Sequence, residues 1–529
     1  MSEPHTGESP WAPLRLKIFR ALWLAVLVSN IGTWMQTVGA QWLLVNQPGA
    51  PTLVALVQTA STLPAVLLAP PSGALADIFD RRRLLIAVQV FQVAVGGALT
   101  ALTLLGQMPP ALLLTFTFAL GVGAALTAPA YQALIPELVP RSQLTAAAGL
   151  SSVSVNVARA VGPAVAGILV ARLGVAAVFA LNTLSFLVFA VVLVAWRRAA
   201  ESDPEPPERF GPAMRAGGRY VRHSPVVRRI MLRTALFIVP ASALWALLPL
   251  VASQRLGLDA GGYGLLLAAL GLGAVGGALL LPRIRARLTT NRMMLVSSIV
   301  YALSLIVLVS VRNVPLILVA LVPAGVAWVA VLSTINAAMQ MFLPAWVRAR
   351  GLSAYQIVVF GGQAGGALVW GLVAQRSGLM PTFLAAAALL LVGAGSVRSL
   401  PLIDTRGLDR SPAVYWPEPN LAVEPRPDNP VMVTNTYTVA ADDEDSFLDA
   451  MTRVRRSRLR TGATRWELYR EGEQPSHFVE TYAVPSWSEH LRQHGGRLTG
   501  SDQASEERAT ALSDPPPVVA HLFPAERGS

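Results

Sequence analysis

No cysteine occurs among the 529 residues of the chain, so disulfide bonds and thiolate metal sites are excluded. Charge is scarce as well: Asp, Glu, Lys and Arg together make up 14% of the residues, whereas hydrophobic residues make up 53%. The mean hydropathy of +0.51 excludes an ordinary soluble globular protein of this length. We therefore expect most of the chain to lie in a membrane.

Acidic residues are fewest in the first 400 residues, which carry a net charge of +18, whereas residues 401–529 carry −6. A basic chain can bind nucleic acid, but the arginines here lie in short segments between apolar runs, as in membrane proteins. We predict a large membrane domain followed by a small soluble one, with no nucleic-acid partner.

Twelve apolar runs are long enough to cross a bilayer, which takes roughly 20 residues. Backbone groups in lipid must be bonded within their own segment, so each run is predicted to be a helix. The predicted spans lie near residues 19–45, 52–76, 84–106, 110–133, 143–171, 175–196, 230–252, 261–281, 293–311, 314–341, 352–374 and 380–397.

Cations cluster in every second loop between the predicted spans. Arg81–Arg83 and the arginines at 283–292 lie on one side, whereas loops on the other side hold single cations such as Arg172 and Arg312. This asymmetry follows the positive-inside rule and predicts that both termini are cytoplasmic. The chain is thus expected to be a multi-pass protein of the inner (plasma) membrane.

Two groups of six spans are separated by a polar, Pro-rich segment. Seven residues recur in the same order in both groups, and the last four pairs are 204 positions apart, as in Gly162 and Gly366. Such a duplication predicts two six-helix bundles with a substrate path between them. The predicted domains are an N-terminal cytoplasmic segment, the first bundle, a linker, the second bundle, a second linker and a cytoplasmic α+β domain, at residues 1–18, 19–196, 197–229, 230–398, 399–429 and 430–525.

The stretch GALADIFDRRRLL, residues 73–85, joins the second and third spans. It resembles the loop motif G-x-x-x-D-[RK]-x-G-R-[RK] of the major facilitator superfamily, but departs from it at Ile78 and Asp80. The resemblance implies a gating role, in which the motif joins the cytoplasmic ends of the two bundles in one state. The alternative is that its arginines only set topology. The residues assigned to the gating motif are Gly73, Asp77, Asp80, Arg81, Arg82 and Arg83.

Longer stretches are similar to the transmembrane secretion effector branch of that superfamily, which includes the enterobactin exporter. They include SNIGTWMQ in the first span, NVARAVGPAVAG in the fifth and SWSEHLRQHGGRLT near the C-terminus. The resemblance implies export of small molecules, siderophore-like or hydrophobic and drug-like, by alternating access and without a cofactor. An importer or a passive facilitator is the alternative.

Polar side chains within the spans are costly in lipid, so they are expected to face protein or a water-filled path. Those of the first span recur every three or four residues and form one stripe. The alternative is that such residues only join helices through hydrogen bonds. The predicted substrate-path residues are Asn30, Trp34, Thr37, Gln41, Asn156, Arg159, Gln356 and Gln363.

Two arginines and a glycine/proline motif lie within predicted spans. Arg159, halfway along the fifth span, requires a carboxylate, carbonyl groups or an anionic substrate. Arg233, near the start of the seventh, is expected to extend to the membrane interface. Gly162, Pro163 and Gly167 resemble part of the antiporter signature of the fifth helix, or serve only close packing.

Proton coupling is implied by the resemblance alone. A buried carboxylate is the usual proton carrier, because burial raises its pKa toward neutrality. No acidic residue lies at the middle of a span, so Asp77 and Glu137, near the cytoplasmic edge, are the coupling candidates.

Residues 430–525 show the order strand, helix, strand, strand, helix, strand, which predicts a ferredoxin-like α+β domain. The domain looks like the dimeric α/β-barrel domains related to antibiotic-biosynthesis monooxygenases, which implies a homodimer that pairs through its sheets. An enzymatic tail is the alternative. His490 and His494 are spaced to share one helix face, but without a third ligand we predict neither a metal site nor catalysis.

Overall fold

The fold is mostly helical, with a small antiparallel sheet near the C-terminus. It forms two compact units: the first comprises Met1–Pro207, Leu232–Asn336 and Gln356–Pro401, and the second Glu208–Met231, Ala337–Tyr355 and Leu402–Ser529. The computed structural model describes residues 9–78, 80–196, 210–403, 405, 408–411, 413, 419, 421–422 and 425–525, with the side chains of residues 70–78 and 210–214 outside the described part.

Each of the twelve predicted spans coincides with a helix. Among the described residues, eleven helices are long and apolar enough to cross a membrane, and the last, with 17 residues, is shorter. Together with α7, which matches none of the predicted spans, the helices are α1 (Lys17–Leu44), α2 (Ala50–Ile78), α3 (Arg81–Leu104), α4 (Pro110–Leu138), α5 (Leu144–Leu173), α6 (Val175–Ala195), α7 (Phe210–His223), α8 (Pro225–Leu250), α9 (Ala260–Arg287), α10 (Thr290–Ser310), α11 (Val314–Phe342), α12 (Ala345–Ser377) and α13 (Leu379–Gly395).

Polar side chains mark the N-terminal ends of three of these helices. The Asp80 carboxylate accepts a hydrogen bond of 2.8 Å from the backbone N–H of Arg83 and so caps α3. Asp259 caps α9 in the same way through Gly262, and Thr289 caps α10. A cap satisfies an N–H group that the helix itself leaves unbonded. The cap on α3 gives Asp80 a local role where the superfamily motif has glycine.

Apolar side chains of the membrane helices point both inward and outward. The six spans α1–α6 are here called the first half of the membrane domain, and α8–α13 the second half. In the first half, Trp23, Tyr131 and Leu134 belong to a buried cluster, and the indole N–H of Trp23 donates to the Leu150 carbonyl at 2.9 Å. On α6, Leu184 and Val191 are more than half exposed. Large exposed aliphatic side chains along such helices are typical of a surface that faces lipid.

The C-terminal domain follows the predicted order of elements. Its four strands pair in the order β2-β3-β1-β4, and every pairing is antiparallel. Helices pack on one face of this sheet, where Phe447, Val454 and Phe478 form a buried core. The elements are β1 (Val431–Thr438), α14 (Glu444–Thr461), β2 (Arg465–Arg470), β3 (His477–Val484), α15 (Trp487–Arg492), α16 (Gly500–Thr510) and β4 (Val518–Leu522).

Helix α7 was not predicted, since residues 197–229 read as a polar linker. The sequence of α7 has no long apolar run, but its apolar residues share one face. It packs against α14 within the second unit, where Ala216 and Tyr220 are buried. A short amphipathic helix of this kind gains most of its stability from the surface it covers, which the local sequence does not reveal.

Candidate functional site

The polar stripe on α1 faces α5 and the second half of the membrane domain. Near its start, the Asn30 amide donates to the Ser154 hydroxyl on α5 at 3.3 Å. Further along, the hydroxyl of Thr37 donates to the carbonyl of Thr33 in its own helix. Asn30, Trp34 and Thr37 are half-buried. The structure thus places these predicted residues on one helix face between the halves.

Gln41 connects the two halves through two hydrogen bonds. Its side-chain oxygen accepts from the Tyr263 hydroxyl on α9 at 2.7 Å, and its amide donates to the Trp245 carbonyl on α8 at 3.2 Å. Gln41 and Tyr263 are both nearly inaccessible to solvent. Sequence reasoning singled out Gln41 but neither of its partners, which lie more than 200 residues away.

The turn between α1 and α2, at residues 45–49, marks one side of the membrane domain, here called the 45–49 side. Further contacts between the halves lie on this side. The Thr59 hydroxyl on α2 donates to the Ala364 carbonyl on α12 at 2.9 Å. A Cβ atom on Gly167 of α5 would lie 2.7 Å from the Cα atom of Gly264 on α9. The two backbones therefore touch there, and only glycine fits.

Arg159 and three tryptophans lie together at the middle of the membrane helices. The guanidinium carbon of Arg159 is 5.6 Å from the centre of the Trp34 ring, within the range of a cation–π contact. Trp34 lies 5.8 Å from Trp245, which lies 5.4 Å from Trp328. Gly162 allows this approach of α5 to α1, because a Cβ there would lie 2.7 Å from the Cβ of Trp34.

The other three predicted path residues lie on α5 and α12. The Asn156 amide donates to the Ser152 carbonyl of its own helix at 2.9 Å. Gln356 and Gln363 lie on α12, and Gln356 is exposed whereas Gln363 is half-buried. Their place in a substrate path stays a prediction.

The arginines of the predicted gating motif bind other helices of the first half. Arg81 donates to the Glu137 carboxylate at 2.8 Å and to the Ala133 carbonyl on α4 at 3.1 Å. Arg82 donates to the carbonyls of Leu193 and Val194 at the end of α6, at 2.8 and 2.9 Å. These bonds stabilise the ends of α4 and α6. The Asp77 side chain and the surroundings of Gly73 lie outside the described part of the structure, so the gating role remains a prediction.

Arg233 was expected to extend to the membrane interface, but the structure corrects this expectation. The side chain is only 2% exposed. Its guanidinium donates to the carbonyls of Gly393, Ser396 and Leu400 around the end of α13, at 2.5 to 2.9 Å. A cation at a helix C-terminus binds carbonyls that lack partners within the helix and also offsets the helix dipole. Arg233 therefore joins α8 to α13.

The C-terminal domain brings three histidines together, of which His490 and His494 are buried and His521 is half-buried. The His490 ring lies 4.8 Å from His494 and 5.2 Å from His521. Burial, with the neighbouring charges of His521 and Arg458, lowers the pKa of His490 to about 3, and burial with Arg458 lowers that of His494 to about 2. His521, on β4, was missed because it is far from the pair in sequence. In the part of the chain that the structure describes, no group of three or more His, Cys, Asp or Glu residues is placed to hold a metal.

A buried carboxylate organises the core of this domain. Glu480 on β3 is fully buried and accepts hydrogen bonds from Asn435 at 2.6 Å, Trp466 at 2.7 Å and Tyr437 at 3.2 Å. Arg458 lies 3.4 Å away and compensates its charge. The donors satisfy the carboxylate, which is the usual condition for burying such a group.

Glu489 on α15 binds arginines of the second unit. Its carboxylate accepts from Arg497 at 2.6 Å and lies 3.6 Å from Arg219 on α7. Burial alone would raise the pKa of Glu489, but the hydrogen bond and charge of Arg497 lower it. The Arg497 guanidinium also lies 4.7 Å from the Trp346 ring at the start of α12, and Trp346 packs edge-on against Tyr220 at 5.6 Å. The C-terminal domain is thus bound to α7 and to the first turn of α12.

Comparisons with known proteins agree with this architecture. A family model described as transmembrane secretion effector matches residues 8–529. Macrolide efflux protein A of Streptococcus pyogenes is 25% identical over 239 residues, which cover 44% of this chain and 58% of that protein. The enterobactin exporter of Shigella boydii is 28% identical over 284 residues, which cover 53% of this chain and 67% of that protein. The chain thus spans little more than half the length of the first of these relatives.

A solved structure shows the same fold. It is the crystal structure of a bacterial homolog to the human lysosomal transporter Spinster, in an inward-facing and unoccupied conformation. The TM-score is 0.59 at 15% sequence identity, and the match covers 73% of this chain and 98% of that one.

Proposed function

Because the chain belongs to the transmembrane secretion effector family of the major facilitator superfamily, we propose that it exports small molecules across the inner membrane by alternating access. It is a multi-pass membrane protein with a small C-terminal α+β domain. The observation that carries the proposal is the polar stripe of α1, which lies between the halves and ends in the bond from Tyr263 to Gln41. We also propose the domain limits that the sequence predicts.

Two observations support export as the direction of transport: the distribution of cations among the loops, and the side on which the halves contact each other. The positive-inside rule favours cytoplasmic termini, which makes the 45–49 side the outer one. The halves contact each other on that side through Gln41, Thr59 and Gly167. This arrangement supports a form that receives its cargo from the cytoplasm. Macrolide-like and siderophore-like molecules are the proposed cargo classes, by analogy with the relatives.

Proton coupling and gating complete this proposal. Asp77 and Glu137 are the proposed proton carriers, and Glu137 already binds Arg81 at 2.8 Å. Loss of that ion pair would release the ends of α3 and α4 from each other. The segment Gly73–Arg83 would then act as the gate, with Arg81 changing partners between states.

Proteoliposomes with an imposed pH gradient test the export function. We expect gradient-dependent transport of erythromycin or enterobactin, with at least a tenfold loss when Glu137 is changed to Gln. Arg172→Gln, at the exposed end of α5, is the control and should transport normally. Transport that ignores the gradient would indicate a passive facilitator, and transport toward the cytoplasm would indicate an importer.

For the C-terminal domain we propose regulation rather than catalysis. It holds α7 and the start of α12 through Glu489, Arg497 and Trp346, and α12 is one of the helices that form the proposed path. Trp346→Ala with Arg497→Gln should detach the domain and change the transport rate while leaving cargo affinity intact. Unchanged transport after detachment, or turnover of an aromatic substrate with oxygen, would favour the enzymatic alternative instead.

The open face of the sheet supports a homodimer. Met432 on β1 pairs with Leu522 on β4, and both are more than 40% exposed, as is Tyr469 on β2. Two copies of this face would cover one another, as sheets with one apolar open face commonly require. Met432→Asp should convert the purified dimer to a monomer. A monomer before the substitution would contradict the dimer proposal.

A further inference from the structure

The middle of α5 carries a cation that the acidic residues of the membrane domain do not reach. Arg159 is near the centre of α5, a helix of 30 residues, so it lies about 20 Å from either end. The acidic residues within residues 10–196 and 210–400 all lie at helix ends: Asp77, Asp80, Glu137 and Asp259. A carboxylate at this depth must therefore come from another molecule.

The surroundings of Arg159 compensate its charge only in part. The Trp34 ring faces the guanidinium at 5.6 Å, a cation–π contact that stabilises the charge weakly compared with a carboxylate. The Arg159 Nε is buried and has no hydrogen-bond partner among the described residues. A cation at the middle of a membrane is energetically costly, so such residues usually serve a ligand or ion path.

The aromatic rings beside Arg159 supply a second recognition element. Trp34 and Trp245 come from different halves, lie 5.8 Å apart and are tilted by 48°, and both are half-buried rather than sealed in the core. Rings in this arrangement offer apolar faces to a flat molecule. The same site thus combines one fixed cation with two aromatic surfaces from opposite halves.

We propose that one class of cargo is an amphipathic aromatic anion, whose acidic group pairs with Arg159 and whose ring system packs on Trp34 and Trp245. Arginine presents paired N–H donors that match a carboxylate, which gives both affinity and orientation. Contact with Trp34 and Trp245 makes binding depend on how the two halves are placed. This inference rests on the proposed export function only in calling the bound molecule a cargo. Binding itself is measured separately from transport.

Paired probes that differ only in charge test the inference. The probes are 2-naphthoate, indole-3-acetate and biphenyl-4-carboxylate, each compared with its primary amide. Binding is measured on the full-length protein in lipid nanodiscs by calorimetry and by the shift in thermal unfolding. We expect at least one acid to bind tenfold or more tightly than its amide, because the amide leaves the Arg159 cation unpaired.

Variants of Arg159 assign the preference to this side chain. Arg159→Gln should abolish the preference for the acid, and Arg159→Lys should keep part of it. Arg172→Gln removes the same charge from the exposed end of the same helix and should leave the preference unchanged. Trp34→Leu should weaken acid and amide equally, whereas Trp34→Phe should weaken them less.

Two results would overturn the inference. One is that no acid binds better than its amide; the other is that the preference survives in Arg159→Gln. Either can occur while the protein still transports another compound in proteoliposomes, in which case the proposed export function stands. Acid-selective binding without any transport would instead leave the site intact and contradict export.

Discussion

Gly167 of α5 and Gly264 of α9 meet backbone to backbone on the 45–49 side, where a Cβ on Gly167 would lie 2.7 Å from the Cα of Gly264. The two helices belong to opposite halves of the membrane domain. A side chain at either position would push them apart. The contact can therefore form only while both residues are glycine, and it ties closure of the 45–49 side to these two positions.

Gly167→Val should hold the 45–49 side open. We expect transport to fall at least tenfold, because the added methyl groups have no space against Gly264. A cysteine introduced at Ala55, buried on α2 against Gly371, reports opening, and the natural chain contributes no background thiol. Its labelling rate should rise in the valine variant.

Gly149→Val is the matched control for this experiment. Gly149 is on the same helix, but a Cβ there would have no neighbour within 4 Å. Its transport and labelling should equal those of the natural chain. Normal transport by Gly167→Val would show that the close contact has no role in the cycle.

A double-mutant cycle should reveal the bond between Gln41 and Tyr263. Gln41→Leu and Tyr263→Phe each remove one partner of the 2.7 Å hydrogen bond. We expect a coupling free energy of roughly 1 kcal/mol in the unfolding of the detergent-solubilised protein. Thr37→Ala, which affects a bond within α1 alone, should show no coupling with Tyr263→Phe. Additive effects of the first pair would argue against the bond.

Arg233→Gln should destabilise the second half by roughly 3 kcal/mol, because three backbone carbonyls around the end of α13 lose a charged donor. Thermal unfolding of the solubilised protein measures the loss. Arg228→Gln is the control, since Arg228 is exposed five residues earlier in α8. Equal unfolding midpoints for the two variants would contradict the proposed anchoring role of Arg233.

The buried histidines should make the C-terminal domain sensitive to acid. Their ordinary pKa is 6.5, and burial lowers it to about 3 for His490 and about 2 for His494. The unfolded chain therefore binds more protons below pH 6.5. The stabilisation is fully present above pH 6.5 and is lost as the pH falls toward the folded values. At pH 5 the loss should approach about 2 kcal/mol for each histidine.

Hydrogen exchange of residues 487–497 in the full-length protein measures this acid sensitivity. Exchange should accelerate between pH 6.5 and pH 5, after correction for the intrinsic rate. Replacing His490 and His494 by Gln should flatten the profile. His477→Gln is the control, since His477 lies at the start of β3 and binds Glu471 at 3.0 Å. An unchanged profile in the double variant would assign the sensitivity to other groups.

Hydropathy and periodicity were sufficient to predict the helices that match the twelve spans and the order of elements in the C-terminal domain. A long apolar run has few alternatives to a membrane helix. A short run in which apolar and polar residues alternate has few alternatives to a strand of a sheet. Spacing along α1 also placed Asn30, Trp34 and Gln41 on one face, as the structure has them.

Contacts between distant segments could not be obtained in this way. The structure was needed to identify the partners of Gln41, Trp34 and His490. No local sequence pattern links these residues to Tyr263, Trp245 and His521, respectively. Arg233 was expected at the membrane interface because nothing in the sequence shows that the end of α13 lies beside it. Helix α7 was missed for a similar reason, since its stability depends on α14.

Each half of the membrane domain finishes with a helix whose last carbonyls bind an arginine, but Arg82 of α3 does this for α6 and Arg233 of α8 does it for α13. Arg82 lies on the third helix of its half and Arg233 on the first helix of the other half, so the two anchors do not occupy equivalent positions. The two halves thus anchor their last helices from different positions. A chimera that simply repeated either half would give both terminal helices the same anchor, and would test whether the two are interchangeable.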